Sequence, residues 1–283
     1  MTQEKYTIKA PAKTNLWLRV CGVREDGFHA IESRMVHLSL CDQLELTWTD
    51  KEKVEFTCSD PSLPTGEDNL VVKAVRVMEK HLGRPLGIKI HLSKKIPSGA
   101  GLGGGSSDAA AVIKSINTMG NFGIPPEELA NLAASIGSDI PFFIYDQPCD
   151  VSGRGEIVVP IDKEAIPRLP IFLMKPAFEI SAAWAYQNLA KSKEMNLPTD
   201  IPQVCQWGSM ENDLERPVYM KFPILRDMKK WLLKQPEVHA ALLSGSGSTM
   251  LAVLRHFDGG DSLSRKAREH FGEETWTYCG FTA

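Results

Sequence analysis

Residues 97–110, PSGAGLGGGSSDAA, place five glycines among the seven positions from Gly99 to Gly105, followed by two serines and a run of alanines. Glycine in regular structure costs roughly 0.5–1 kcal/mol against alanine, so such a cluster points to a backbone that must approach something bulky. Glycines leave successive N–H groups without Cβ obstruction. A helix starting near Ser106 would add its unpaired N–H groups and the positive end of its dipole. The resulting cradle suits an anion, a triphosphate above all. Ser106 and Ser107 can offer hydroxyls to phosphate or oxygen ligands to magnesium.

Other readings of the glycines are weaker. Gly99, Gly101 and Gly104 satisfy G-x-G-x-x-G, but a dinucleotide fold needs a following strand that ends in an acidic residue. Here NFGIPPEELANLAAS supplies a second helix. A Walker loop would close on Gly-Lys-Ser/Thr, which is missing. A flexible linker would not have an apolar strand on one side and an alanine-rich helix on the other.

The elements that must position this loop follow from periodicity. YTIKAPAKTNLWLRV alternates at its ends, DGFHAIESRMVHLSL follows a turn at Asp26-Gly27, and CDQLELTWTD and KVEFTC read as further short strands. DNLVVKAVRVMEKHLG changes to helical spacing, with Leu70, Ala74, Val77 and Leu82 near one face, Asp68 as cap and Gly83 as stop. GIKIHLSKKIP returns to period two, with Ile88, Ile90 and Leu92 on one side. A helix opens at Pro125-Pro126 and runs to about Ile136, and PFFIYDQPCDVSGRGEIVVPI reads as strand. Near residue 162 a connection, DKEAIPRLP, leads into the buried strand IFLMKP. Helices follow around 181–191 and 223–235, then AALLSGSGSTMLAVL, a glycine turn between two apolar runs, and the helix DSLSRKAREHFG. Strands and helices mix without strict βαβ alternation, which predicts an α+β protein of two domains, 1–162 and 163–283.

Composition bounds the rest. The chain has 283 residues, 43% hydrophobic and 24% charged, with formal net charge −3, so no global basic field recruits nucleic acid or anionic membrane. No apolar stretch approaches a membrane span, and MTQEKYTIKAPAK has no apolar core of a secretory signal. The six cysteines are scattered, without metal-ligand spacing, and read as reduced thiols of a cytoplasmic enzyme.

Three segments carry a family resemblance. PSGAGLGGGSSDAA resembles the phosphate loop of the GHMP kinase superfamily, APAKTNLWLRV (10–20) its N-terminal motif, and LLSGSGSTMLAVL (242–254) its C-terminal glycine motif. REDGFHAIES, EDNLVVKA, GSDIPFF, GRGE and ENDLE narrow the resemblance to one branch. Members of that branch phosphorylate a sugar alcohol carrying a cytidine diphosphate group, in the non-mevalonate route to isoprenoid precursors. The resemblance implies ATP as phosphoryl donor with Mg2+, the 2-hydroxyl of the methylerythritol unit as acceptor, and a cleft between two domains.

The resemblance also assigns roles that residue type alone leaves open. Asp139, otherwise a turn aspartate, becomes the general base, and Lys13, otherwise a surface lysine, the charge that supports it. Asn15 becomes a contact to the substrate diol. Phe28 and Tyr186 become two faces of a clamp on the cytosine ring, and His29 a polar reader of that base. Ser181 stands where the family usually has a threonine. For ATP the resemblance implies Pro97, Gly99, Ala100, Gly101, Leu102, Gly103, Gly104, Gly105, Ser106 and Ser107, with Asn69 and Lys94 as secondary contacts. Lys94 and Lys95 read equally as a solvated strand end. Asp108 is expected in the first helical turn, complementing the dipole and pointing away or helping to hold magnesium. The magnesium ligands are not specified. The partner is a small molecule with a cytidine diphosphate moiety, not nucleic acid or membrane, and the chain is expected to be a monomer or weak homodimer. The alternatives are another small-molecule kinase of the superfamily, such as a mevalonate-type enzyme, or a catalytically silent nucleotide-binding module on the same fold.

Overall fold

A computed structural model describes residues 5–194, 202–258 and 260–283. In chain order its elements are β1 (Tyr6–Val23), β2 (His29–Trp48), β3 (Val54–Cys58), α1 (Leu70–Leu82), β4 (Ile88–Ser93), α2 (Gly104–Met119), α3 (Pro126–Ala134), β5 (Cys149–Ser152) and β6 (Ile157–Pro160). Then follow β7 (Pro170–Lys175), α4 (Ala182–Gln187), α5 (Leu189–Glu194), β8 (Gln203–Cys205), β9 (Gly208–Asn212), α6 (Glu215–Lys221), α7 (Pro223–Leu233), β10 (Val238–Leu243), β11 (Met250–Leu254), α8 (Gly260–Phe271) and β12 (Trp276–Phe281).

Two sheets lie back to back between two layers of helices, as expected for an α+β chain. The first sheet runs β3-β4-β2-β1-β9-β8, with β5 on the other part of β2 and β6 beside β5; the second runs β10-β11-β7-β12. Ala12, Leu16, Val36 and Leu38 of the first sheet meet Ile171, Leu173, Leu242 and Leu251 of the second in the central core. The outer face of the first sheet packs on α1, α2 and α3, and that of the second on the helices of the C-terminal half. Strand alternation explains how β7 serves both cores. Ile171 and Leu173 point to one, Phe172 and Met174 to the other, so the whole strand reads as apolar. β8 and β9, from beyond residue 162, join the first sheet through the parallel pairing of β9 with β1.

Several expectations shift by a turn or a register. The first 60 residues form three strands, because DGFHAIESRMVHLSL and CDQLELTWTD are one continuous 20-residue strand. The cap of α1 is Asn69, whose Oδ1 accepts from Val71 N, and not Asp68. Gly83 does end the helix in the left-handed region at φ 66°. The buried stripe of α1 is Val71, Ala74, Val75 and Met78, one step round from the expected face, because both β4 and α2 press on it. The PFFI segment, expected as strand, is a 3-10 turn at Pro141–Ile144, where the proline ring favours a helical start. α2 begins at Gly104, two residues before the expected Ser106.

A buried ion pair holds the C-terminal half near the central core. Glu215 Oε2 accepts from Lys229 Nζ at 2.6 Å, and its Oε1 accepts from Leu243 N at the end of β10 and from the Tyr219 hydroxyl. Burial pushes the Glu215 carboxyl up, and the Lys229 charge opposes it. Removing one partner would leave the other charge unpaired in the interior. We expect Lys229→Met to cost about 3–5 kcal/mol, read as a lowered midpoint in urea unfolding.

Candidate active site

The ends of β1 alternate, but Ala12 to Leu16 are all buried, because sheet and loops cover both faces there. Buried polar side chains must find partners, and each does. Lys13 Nζ donates to Asn15 Oδ1 at 3.0 Å, Thr14 Oγ1 hydrogen-bonds Ser244 Oγ at 3.1 Å, and Asn15 Nδ2 donates to Ser33 Oγ at 2.7 Å. Register shifts against β2 bracket this stretch, between Pro11 and Lys13 and between Asn15 and Trp17. Such bulges re-aim side chains, and here they aim Lys13 and Asn15 into a cleft.

Asp139 follows α3 in the SIGSDIPFF turn. Its Oδ2 lies 3.7 Å from Lys13 Nζ; the lysine side chain is 6% exposed, the aspartate 37%. The pair combines a sheltered cation with a carboxylate open to the cleft.

The glycine loop faces this pair. Gly103, at φ 70°, precedes α2 without any side-chain cap, and the N–H groups of Gly104, Gly105 and Ser106 open the helix without intrahelical acceptors. A Cβ on Gly103 would stand 2.9 Å from both Lys13 Cγ and Phe143 Cζ. A Cβ on Gly101, at φ 73°, would stand 2.1 Å from the Ser244 carbonyl oxygen. The glycines are therefore needed on both sides: the outer backbone faces the cleft, and the inner one packs on Lys13 and on the SGSGS turn. That turn is fastened to the loop by Ser244 Oγ donating to Gly101 O (3.1 Å) and Thr249 N to Ala100 O (3.3 Å).

The resulting cleft has a volume of about 990 Å3. Lys13, Asn15 and Asp139 line its middle. Pro97, Gly99, Ala100, Gly101 and Gly103 to Ser106 line one end, together with Asn69 and Lys94; Phe28, His29 and Tyr186 line the other. The His29 and Tyr186 rings lie in contact, 5.4 Å between centroids and tilted by 31°, while Phe28 is 52% exposed at the Asp26-Gly27 turn. Burial and the Asp139 charge push the Tyr186 hydroxyl above its usual range, so it stays protonated. Three expected residues do not line the cleft. Leu102 is core, and Ser107 is buried behind the loop with its hydroxyl unpartnered. Ser181 caps α4, its Oγ accepting from Trp184 N at 3.4 Å.

Lys94 is not a solvated strand end. Its ammonium is buried between Asp42 Oδ2 at 2.5 Å and Asp108 Oδ2 at 3.0 Å. Asp108 lies in the second turn of α2 and not the first, and this ion pair is why its charge can stand so near an anion cradle. Burial pushes the Asp108 carboxyl up to about 7 against the pull of Lys94. Asp42 fixes the strand end too, its Oδ1 accepting from Lys95 N and Ile96 N. No motif marks Asp42; only the register of β2 on β4, Gln43 opposite Ser93, brings it here. Asn212 and Arg154 also went unassigned, although ENDLE and GRGE contain them. Asn212 Nδ2 donates to the carbonyls of Leu243 and Gly245, holding the second glycine turn, and Arg154 lines the aromatic end.

Residues 69–147 match the GHMP kinases N terminal domain, and residues 203–273 the GHMP kinases C terminal. A 4-diphosphocytidyl-2-C-methyl-D-erythritol kinase of Geobacter sp. (strain M21) is 37% identical over 258 residues, covering 89% of this chain and 90% of that one. The enzyme of the same name from Methylacidiphilum infernorum is 37% identical over 270 residues, covering 94% and 93%. A crystal structure of 4-(cytidine 5'-diphospho)-2C-methyl-D-erythritol kinase superposes with TM-score 0.79 at 28% identity, over 98% of this chain and 99% of that one. A homoserine kinase from Cytophaga hutchinsonii shares the fold, with TM-score 0.71 at 20% identity, over 100% and 96%.

Behind the site, His37 pairs with Lys13 across the strands and stacks on Phe142 at 4.3 Å, next to Phe143. Burial pushes its imidazole down to about 4 from an ordinary 6.5; Asp146 pulls it up, and Lys114 and Lys163 push it further down. Below pH 6.5 the unfolded chain therefore takes up a proton that the native state refuses until about 4. Stability is whole above pH 6.5 and falls as the pH drops toward 4. We expect His37 to account for about 2 kcal/mol of that loss between pH 7 and 5. Urea unfolding of the native chain and of His37→Phe at both pH values measures it, the variant losing correspondingly less.

Proposed function

The chain belongs to the GHMP kinase family, in the branch of the 4-diphosphocytidyl-2-C-methyl-D-erythritol kinases, and from that membership we propose how its cleft performs phosphoryl transfer. It is an ATP-dependent kinase of isoprenoid precursor synthesis, acting on 4-diphosphocytidyl-2-C-methyl-D-erythritol at the 2-hydroxyl. The observation that carries this reading is the Lys13–Asp139 pair, which lies in one cleft between a glycine cradle and a group of aromatic side chains.

Phosphoryl transfer depends on alignment and on charge stabilisation more than on covalent help from the protein. The triphosphate lies on the loop from Gly99 to Ser106, held by backbone N–H groups at the start of α2. The cytosine end of the acceptor rests among Phe28, His29 and Tyr186, which brings the methylerythritol end to Asn15 and Asp139. Asp139 takes the proton of the 2-hydroxyl as the oxygen bonds to the γ-phosphorus. The bond from that phosphorus to the β–γ bridging oxygen breaks, and ADP leaves. Lys13 stands beside Asp139 and offsets charge on the attacking oxygen. Ser181 is read as a substrate contact only through its place beside the aromatic end, since its hydroxyl already caps α4.

Magnesium fits this site. Asp108 lines the cleft beside the cradle and its Oδ1 is a buried oxygen without a partner, so with phosphate oxygens it would hold the ion. When bound it neutralises charge on the β- and γ-phosphates. The matched segments fall on either side of residue 162, which supports the division into 1–162 and 163–283. The reading takes a monomer or weak homodimer as the active unit. The reading places the enzyme in the cytoplasm, where its six free thiols stay reduced.

The test incubates the protein with magnesium, ATP and 4-diphosphocytidyl-2-C-methyl-D-erythritol, beside mevalonate and homoserine. ADP release is expected with the first alone, and turnover of mevalonate instead would sink the assignment of Phe28 and His29. Asp139→Asn and Lys13→Met are each expected to lower kcat by about 10²–10⁴ with the fold intact by circular dichroism. Unchanged kcat in either variant would remove it from the mechanism.

A further inference from the structure

Among the described residues three cations line the cleft: Lys13, Lys94 and Arg154. Two are committed. Lys94 is buried between Asp42 and Asp108, and Lys13 lies against Asn15 and Asp139. Arg154 is the third, in the GRGE turn between β5 and β6, and its residue type alone assigns it no role. Its guanidinium carbon lies 5.2 Å from the centre of the Phe28 ring. Its chain neighbour Gly155 stands on the other side of the same turn, where a Cβ would be 3.6 Å from Asp139 Oδ1. This one turn therefore spans from the general base to the aromatic end.

Resting on the functional reading above, the acceptor has the same layout. Its base lies at the aromatic end, its reacting hydroxyl lies at Asp139, and a diphosphate joins the two. We infer that Arg154 binds this diphosphate and so selects a nucleoside diphosphate conjugate over an acceptor that lacks the phosphates. The local chemistry suits the task. Arg154 N donates to Glu156 Oε2 at 2.6 Å, which fixes the turn, while the guanidinium meets Glu156 Oε1 in a long ion pair, Nε to Oε1 at 3.7 Å. Among the described residues no hydrogen bond engages its two Nη groups, so the planar fork is open for a phosphate. Asp26 lies on the same side, but the guanidinium of Arg24 holds it with a bond from Nε at 3.2 Å. Burial is partial: the Arg154 side chain is 34% exposed, enough shelter to strengthen an ionic contact while leaving an entry path.

Equilibrium binding of CDP and of cytidine to the full chain, by calorimetry, separates a phosphate contact from a base contact. The native protein is expected to bind CDP more tightly than cytidine. Arg154→Gln should weaken CDP at least about tenfold, the size of one charge-assisted hydrogen bond, and cytidine less than about twofold. Arg154→Lys should recover part of the loss, because a point charge remains without the bidentate geometry. In steady state the Gln variant should raise KM for the cytidine diphosphate alcohol and leave kcat and KM for ATP in place. Equal weakening of both ligands would make Arg154 a packing residue of the Phe28 face, and no weakening would remove it from the site; either overturns the inference. A native protein that binds no CDP would instead overturn the functional reading, and this inference with it.

Discussion

The contact between the two glycine turns decides where everything else in the cleft can be. Gly101 and the Ser244 carbonyl approach so closely that no side chain fits between them, and Ser244 Oγ and Thr249 N bond back to the loop. Lys13 runs through the same junction, its backbone N–H donating to Leu102 O at 2.9 Å. The second turn is held in its own right by Asn212, which sits at the end of β9 beside β1. Cradle, lysine and turn thus close a circuit across residues far apart in the chain. A rigid backbone surface for an anion follows from that circuit rather than from the glycines alone, whose freedom would otherwise favour disorder.

Buried charge is used in two different ways around this circuit. In the Lys94 cluster the ammonium is fully shared between two carboxylates, and Asp42 spends its other oxygen on backbone N–H groups. Such a unit is costly to desolvate and costly to break, and it fixes the strand end that leads into the loop. Lys13 and Asp139 are more loosely paired at 3.7 Å, with the carboxylate partly exposed. In the proposed mechanism that looseness suits a group that exchanges its partner for a substrate hydroxyl. The Glu215–Lys229 pair belongs to the first kind, tying α6 and α7 to the end of β10 just before the second glycine turn.

The aromatic end is built with less rigidity. Phe28 stands largely exposed on a turn closed by Arg24 N donating to Phe28 O, while Tyr186 and His29 rest on one another. Stacking on a base is tolerant of small displacements, whereas in-line transfer is not. The distribution of order along the cleft matches that difference.

How much of this was legible in the linear chain varies with the range of the interaction involved. Local chemistry wrote the glycine cradle, the turn at Asp26-Gly27, the stop at Gly83 and the buried run of β7 directly into residue type and spacing. The resemblance of its motifs named Lys13 and Asp139, and the fold places them together. Shifts of one or two residues, such as Asn69 for Asp68 and Gly104 for Ser106, arose because packing selects among neighbouring starts of nearly equal local preference. Asp42, Asn212 and Arg154 could not be singled out, because an aspartate in a strand or an arginine in a turn carries no periodic signal. Their surroundings come from strand register and from the meeting of two sheets, which bring together side chains 52 to 230 positions apart. Residue type set the available chemistry; which groups share one cleft was decided only by long-range packing, since contacts between distant segments leave no trace in local spacing.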